Sequence, residues 1–415
     1  MNVIEQIKRN YISQQRCDLI TNLFGTDNVQ KRNEQVIIYG AGSAGKEISE
    51  CLSLHGITTE LFCDSNPDKV GDELLGKPII SFEELRARHI NKFIVVGVQK
   101  FKKIVYEKLK SNKFNRIGII ENDEQFYYYL QFSRWKIDIS EVTLNSNKIC
   151  KVFEMLADQK SRNIFISRLS ILTSYADFAS YKRYCQLCDH PQEYPEEKKV
   201  FASNFENQMY FNNDLVQLNL NEVNLIDCGA YNGDSFFEFQ NSMISNQIDN
   251  YFVYCFEPDI ANYQLLQKNL KDYKNVKLFN LGVWNKRATL NFASSNLMYQ
   301  TESCVIPHDE SSSKVIQSIE YDSSIECNSI DNLIYPEKVN IIKMDVEGSE
   351  SNALLGASKT IKKYLPQLII SSYHKDSDMW DIPLLIKDIS LNYDLYFRQF
   401  SFSFSETVLI AIPKK

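Results

Sequence analysis

Two stretches of this chain alternate apolar runs of strand length with glycine turns and helix-period segments, and a stretch that does neither separates them. In the first, Gln35–Tyr39 is a short apolar run that stops on Gly40, and Ile48, Cys51 and Leu52 follow at helical spacing. A second run, Thr58–Cys63, ends on Asp64, and Asn66-Pro67 breaks the chain before a further run at Phe93–Val98. This predicts a strand–helix–strand unit closing near Glu121. In the other stretch an apolar strand begins at Val223 and reaches a glycine turn at Gly229 and Gly233. Further strands are predicted at Phe252–Phe256, Val276–Leu281, Val339–Met344 and Leu368–Ser371, with helices at Ile260–Lys271 and Ala353–Tyr364. Tyr393–Phe400 and Thr407–Ile412 read as a strand pair joined by a loop of serine and glutamate.

Continuous apolar strands alternating with helices belong to parallel sheets covered on both faces. The intervening residues carry helical patterns rich in aromatic and polar side chains at Phe126–Tyr129, Ile164–Leu172 and Tyr175–Tyr184. Pro191, Pro195 and the charged Glu196–Lys199 mark a turn among them. The expected fold is α/β, two Rossmann-like doubly wound sheets joined by a helical segment. The expected division is N-terminal helices over 1–30, a Rossmann-like nucleotide- or nucleotide-sugar-binding domain over 31–121, a helical connection over 122–221 and a second α/β domain over 222–415.

A length of 415 residues agrees with two or three domains. The net charge of −7 argues against a broad phosphate-neutralising surface, so nucleic acid is not the expected partner. No run reaches the roughly 18 apolar residues of a membrane span, and the charged start lacks the apolar core of a signal peptide. A cytoplasmic chain is therefore expected, with a homo-oligomer left open. Ten cysteines scattered through apolar stretches read as reduced, buried thiols. Cys185-x-x-Cys188 with His190 lacks the second pair that a tetrahedral zinc site needs.

In an open parallel sheet, ligands bind beyond the carboxyl ends of the strands, where strand order reverses. Asp227, Glu257 and Asp345 each end an apolar strand, which places three carboxylates around one crevice. Gly229 and Gly233 let the backbone approach a ligand closely. Glu257, 30 residues after Asp227, is placed to accept both hydroxyls of a ribose, and Asp227 and Asp234 to meet an ammonium group. The loop itself has no lysine or arginine, which suits a cationic sulfonium and favours S-adenosylmethionine over a dinucleotide.

These residues, in this order, resemble FkbM-type methyltransferases from Val223 to about Pro413. The carriers are Asp227-Cys-Gly229-Ala-Tyr231-Asn-Gly233-Asp234-Ser235, Phe256-Glu257-Pro258, Ser329-Ile-Asp331, Lys343-Met-Asp345-Val-Glu347-Gly348-Ser-Glu350, and Tyr373-His374-Lys375 with Asp378. The resemblance implies methyl transfer from S-adenosylmethionine to a hydroxyl of a sugar, glycan or polyketide-like acceptor. It implies a cofactor site of Asp227, Gly229, Tyr231, Gly233, Asp234, Glu257 and Pro258. Asp345, Glu347 and His374 are the expected catalytic residues, His374 having the ordinary pKa nearest neutrality. Glu350 is accounted for equally by a helix dipole. Lys343 is expected on the opposite side of its strand from Asp345, in a structural role. Asp345, Glu347 and Asp331 offer oxygens suited to Mg²⁺, although no spacing demands a metal.

The first glycine loop, Gly40-Ala-Gly42-Ser-Ala-Gly45 with Asp64 at the next strand end, has the βαβ context of a dinucleotide fingerprint. With Gly76-Lys-Pro78 and Phe82-Glu-Glu-Leu85, it resembles the nucleotide-sugar-binding domains of bacterial sugar-modifying enzymes, which implies a diphosphate at the helix N-terminus. Packing or dimerisation is the alternative role. Two rival functions remain, an NAD-dependent nucleotide-sugar oxidoreductase and a non-catalytic binding scaffold for polysaccharide assembly. The first needs an acid/base pair, and Tyr106-Glu-Lys108 has the wrong spacing for one.

Overall fold

The computed structural model describes residues 3–13, 23–24, 35–53, 55–123, 125–126, 128–129, 136–173, 178–188, 209–211, 213, 215–216, 218, 222–293, 304–306, 323–333, 338–401 and 404–414. Expectations for 14–22, 25–34, His190, Pro191, Pro195 and Glu196–Lys199 lie outside them. The chain forms two compact units, one of residues 1–146 and 166–186, the other of residues 147–165 and 187–415.

The first unit opens with helix α1 (Val3–Ser13). Its sheet is built from β1 (Gln35–Tyr39), β2 (Thr58–Cys63), β3 (Glu73–Leu74), β4 (Lys77–Ile80), β5 (Phe93–Val96) and β6 (Ile117–Gly118), in the order β3-β4-β2-β1-β5-β6. All pairings are parallel except β3 with β4. Helices α2 (Ser43–Ser53), α3 (Phe82–Arg88) and α4 (Lys102–Ser111) connect the strands. Ile37, Tyr39, Leu61, Ile94 and Val96 bury one sheet face against Phe82, Leu85, Val105 and Leu109 of α3 and α4. The uninterrupted apolar character of β1 and β5 follows from this cover. Four helices come next along the chain, α5 (Ile139–Leu144), α6 (Ser146–Met155), α7 (Gln159–Thr173) and α8 (Phe178–Cys185).

The second unit holds a seven-stranded sheet of β7 (Val223–Cys228), β8 (Tyr251–Phe256), β9 (Val276–Phe279), β14 (Ile341–Met344), β15 (Gln367–Ser371), β16 (Tyr393–Gln399) and β17 (Thr407–Pro413). The order is β16-β17-β15-β14-β7-β8-β9, with β17 antiparallel to both of its neighbours and the other pairs parallel. From β7 the chain builds outward through β8 and β9 and then returns to the other side of β7 with β14. The strand order therefore reverses between β7 and β14, where a crevice opens at the carboxyl ends. Helices α9 (Asp234–Ser245) and α10 (Ile260–Leu270) pack Phe236, Phe239, Met243, Leu266 and Leu270 into the core with Leu225, Val253 and Ile341.

A separate small sheet, absent from the expected pattern, pairs β10 (Gly282–Val283), β11 (Ala288–Ala293), β12 (Cys304–Ile306) and β13 (Ser323–Asn328) in the order β10-β13-β11-β12. Trp284, Leu290, Ile325 and Cys327 give it a core of its own. The single helix expected over Ala353–Tyr364 is two, α11 (Glu350–Gly356) and α12 (Ser358–Tyr364). The cause is Asp331, whose carboxylate accepts the backbone N–H of Lys359 and of Thr360 and the Thr360 hydroxyl at 2.8–2.9 Å, starting a new helix. The last helix, α13 (Asp378–Ile389), buries Trp380, Ile382 and Ile386. Among the described residues, no helix is long and apolar enough to cross a membrane.

Asp331 acts here as a helix-start acceptor, so Asp331→Ala is expected to lower stability by about 1–2 kcal/mol. An unchanged urea midpoint for this variant would contradict that role.

Candidate functional site

The second unit's crevice starts from three strand ends. Gly229, just past β7, has φ of +77°, and a Cβ there would stand 1.8 Å from the carbonyl oxygen of Asp345. Only glycine lets the β7 and β14 ends meet this closely. The contact is tightened by Asp345 N–H donating to Cys228 O at 3.0 Å. The loop then turns through Tyr231, left-handed at φ +46° and half exposed, to Gly233 at φ +97°, which starts α9.

Beneath this loop Lys343 is 2 % exposed, and its Nζ donates to Gly229 O at 2.7 Å and pairs with Asp227 Oδ1 at 3.1 Å. The other oxygen of the fully buried Asp227 accepts the Ser235 hydroxyl at 2.6 Å. Burial alone would push the lysine's pKa down, but Asp227, Asp345 and Asp234 outweigh it and hold it above the ordinary lysine value. The expectation that Lys343 faces away from Asp345 is corrected: residues two apart share a strand face, so both project to the crevice side. Asp227 is thus turned to Lys343 and Ser235, while Asp234, at the start of α9, is exposed.

Glu257 follows β8 and is buried. Its Oε2 accepts Tyr231 N–H and its Oε1 accepts Asp259 N–H, each at 2.9 Å. The carboxylate therefore locks the glycine loop to the β8 end while each oxygen keeps a free lone pair. Burial raises its pKa to about 7 against the opposing pull of the two N–H bonds. Pro258, half-buried beside it, turns its carbonyl to Asn280 Nδ2 at 3.0 Å.

After β14 the segment from Asp345 to Glu350 folds around one buried carboxylate. Glu350 Oε1 accepts Val346 N–H at 3.0 Å and Gly348 N–H at 3.4 Å, and His374 Nδ1 lies 2.8 Å from it. This curls the loop, with Glu347 left-handed at φ +51°, until Asp345 Oδ1 and Glu347 Oε2 stand 3.3 and 3.4 Å from His374 Nε2. Three carboxylates surround one imidazole. Burial would drive its proton off, but Glu350, Asp345 and Glu347 hold that proton and lift the pKa to about 10. The three carboxylates thus favour the protonated ring over the neutral one that a general base would need. Asp345 is held below its usual range, His374 and Lys343 overcoming burial.

Asp345, Glu350 and His374 each offer a ligand atom within 4.8 Å of one another. Asp345 Oδ1, Glu350 Oε2 and His374 Nε2 are buried there without a hydrogen-bond partner, and Asp331, the third oxygen donor suggested by the sequence, is engaged at the start of α12. Cys188 donates its thiol to Ser401 O at 3.3 Å.

Other groups at the crevice escaped the sequence reading. Tyr210 donates its hydroxyl to Asp345 Oδ2 at 2.8 Å, and Glu406, pushed up to about 7 by burial, feels the charge of Asp345. Asp378, which the sequence reading already names beside Tyr373-His374-Lys375, accepts Lys375 N–H at 2.7 Å and is raised to about 7 by burial and by Glu350. A short-range signal existed only for Lys343, whose i, i+2 spacing to Asp345 places it. Tyr210 lies 135 residues from its partner, beyond any periodicity.

In the first unit, a Cβ on Gly45 would stand 1.8 Å from Gly40 O, so α2 packs directly on the end of β1. Asp64 Oδ2 accepts Ala41 N–H at 2.8 Å, and Lys69 Nζ donates to Ala41 O at 3.1 Å beside Gly42. Asp64 thus braces the glycine loop. Tyr39 OH lies 2.6 Å from Ser65 Oγ and accepts from Lys108 Nζ at 3.0 Å, a Tyr–Lys pair that sequence spacing hides.

Residues 227–402 match the family described as Methyltransferase FkbM domain. A crystal structure of methyltransferase FkbM from Methylobacillus flagellatus KT is similar over 99 % of both chains, with 19 % identity and a TM-score of 0.61, so the two share a fold. UDP-D-quinovosamine 4-dehydrogenase from Vibrio fischeri aligns over 23 % of this chain and 84 % of its own, with 23 % identity and a TM-score of 0.20. Aeropyrum pernix fibrillarin with natively bound S-adenosyl-L-methionine aligns over 46 % of this chain and 66 % of its own, with 10 % identity and a TM-score of 0.28. No curated protein matches the chain by sequence.

Two outcomes follow from the buried charges. Lys343→Met leaves Asp227 as an uncompensated buried carboxylate and is expected to cost about 3–5 kcal/mol in urea unfolding, whereas a near-neutral change would refute the pairing. His374 titrates at about 10 in the fold against an ordinary 6.5. A raised cationic pKa stabilises fully below the unfolded value and is lost as pH rises through the folded one. Between pH 7 and 10 the wild-type chain should therefore lose stability progressively, and His374→Gln should flatten that slope. An equal slope in both would show that the proton is not held there.

Proposed function

With a methyltransferase FkbM domain at residues 227–402 as premise, we propose that the chain moves a methyl group from S-adenosylmethionine to a hydroxyl of a sugar or glycan, in the cytoplasm, for surface-polysaccharide synthesis. The observation that carries the reading is Glu257, a buried carboxylate fixed by two backbone N–H groups at the switch point beside the Gly229–Gly233 loop. Its remaining lone pairs suit the two hydroxyls of a ribose. Gly229, Tyr231 and Gly233 present backbone to the methionine end, Asp234 meets the ammonium group, and Asp227 acts through Lys343. Pro258 shapes the turn behind the ribose.

When bound, S-adenosylmethionine supplies an electrophilic methyl on a sulfonium sulfur. The domain aligns an acceptor oxygen with that methyl, so that proximity and orientation provide most of the rate. Asp345 or Glu347 would accept the acceptor's hydroxyl proton as the methyl group is transferred. His374, already protonated, is the counter-charge that keeps both carboxylates ionised and aimed together.

Residues 31–121 are proposed to bind the nucleotide-linked form of the sugar, with Gly40, Gly42 and Gly45 at the diphosphate and Asp64 holding the loop. A second reading belongs to the same residues, because the Tyr39–Lys108 pair with Ser65 is the acid/base set that an NAD-dependent sugar oxidoreductase would require. Fluorescence of copurified NAD(H) would favour it.

Calorimetry with S-adenosylhomocysteine tests the main reading, and Glu257→Ala should weaken binding at least about tenfold. Because the ionised carboxylate is the form that accepts hydroxyls, wild-type affinity should fall about tenfold per pH unit below about 7. Absence of binding, or an unaffected Glu257→Ala, sinks it. Methyl-labelled donor with UDP-glucose, UDP-N-acetylglucosamine and capsular glycans then identifies the acceptor.

A further inference from the structure

Asp345 is asymmetric. Its Oδ2 accepts the Tyr210 hydroxyl at 2.8 Å, whereas its Oδ1 is buried without a hydrogen bond, although His374 Nε2 is only 3.3 Å away. An ionised oxygen left so close to a cationic ring would be expected to swing into a full hydrogen bond. The tether on Oδ2 opposes that swing.

Tyr210 is itself firmly placed. It is 6 % exposed, and its ring lies 5.1 Å from the Lys343 ammonium. Its backbone N–H and that of Phe211 both donate to one oxygen of the buried Glu238, at 2.7 and 2.6 Å. Met209 N–H adds to the same carboxylate. Glu238 sits on α9, the helix that the glycine loop begins, so one rigid element carries both the loop and the anchor of Tyr210. Tyr210 also precedes the matched family domain in the chain.

From this geometry we infer that Tyr210, anchored by Glu238, is a positioning residue of the methyl-transfer site: it holds Asp345 Oδ2 and so fixes how the carboxylate is turned between His374 and the acceptor side. The inference rests on the methyl-transfer reading above. The charged and titratable groups around Asp345 are His374, Lys343, Asp234 and Glu350, with Glu347, Tyr373 and Glu406, and the hydroxyls of Tyr210 and Ser371 are the neutral donors that face it.

The test uses full-length protein labelled with ¹⁵N-histidine, which carries five rings, His374 being assigned by its loss in His374→Gln. In Tyr210→Phe the ring remains over Lys343 but the tether is gone, so Asp345 should close onto His374. The His374 Nε2–H signal should move downfield and exchange at least about threefold more slowly. S-adenosylhomocysteine affinity should stay within about twofold, because the donor groups are untouched. Glu238→Gln, which keeps the hydroxyl but loosens the 209–211 anchor, should shift the same signal part of the way, and it stands alone if Tyr210→Phe fails to fold. A merely structural tyrosine would lower the melting temperature and leave the His374 signal in place, and that result overturns the inference. Failure of wild-type protein to bind S-adenosylhomocysteine would overturn the methyl-transfer reading instead. With an acceptor in hand, Tyr210→Phe should lower kcat about tenfold with KM for S-adenosylmethionine unchanged. An unchanged kcat would count against it equally.

Discussion

The Lys343 ammonium, buried between Asp227 and the Gly229 carbonyl, is the contact on which the rest of the crevice depends. A charge so enclosed is tolerable only when fully paired and hydrogen-bonded. That requirement fixes the β14 end against the β7 end, and with it the glycine loop above and the Asp345 segment beside it. Gly229 makes the approach sterically feasible, since a side chain there would overlap the Asp345 carbonyl. The two halves of the site are therefore one construction.

Around that contact, carboxylates are sorted by environment. Asp227 is neutralised by lysine and serine, Asp345 is kept ionised by His374 and Lys343, and Glu257 and Glu406 are pushed up to about 7 by burial. Identical chemistry thus yields separate states: one carboxylate paired with a buried lysine, one held ionised, and two raised by burial. The sorting relies on a histidine that holds its proton, because a neutral ring would leave three carboxylates in mutual repulsion.

The strand ends were legible in the chain because the site lies at the carboxyl ends of apolar runs, and runs are what periodicity reports. Gly229, Gly233, Glu257 and Asp345 could be placed before any coordinates for that reason. Two kinds of feature were not legible. Environment was one: nothing local to Tyr373-His374-Lys375 shows that Glu350 and Glu347 fold back onto the ring. Long-range pairing was the other, as with Tyr210 and Asp345, or Tyr39 and Lys108, where residues far apart in the chain meet only through topology. The split of the helix after Gly356 belongs with these, since its cause, Asp331, sits outside the helix it starts.

In the proposed site, one switch-point crevice holds a methyl donor at Glu257 and presents its sulfur to Asp345 and Glu347. A crystal structure of the chain with S-adenosylhomocysteine tests this most directly. The ribose hydroxyls should lie within hydrogen-bond distance of Glu257, with the sulfur facing the Asp345–Glu347 side. A ligand bound elsewhere, or with its ribose away from Glu257, would contradict it.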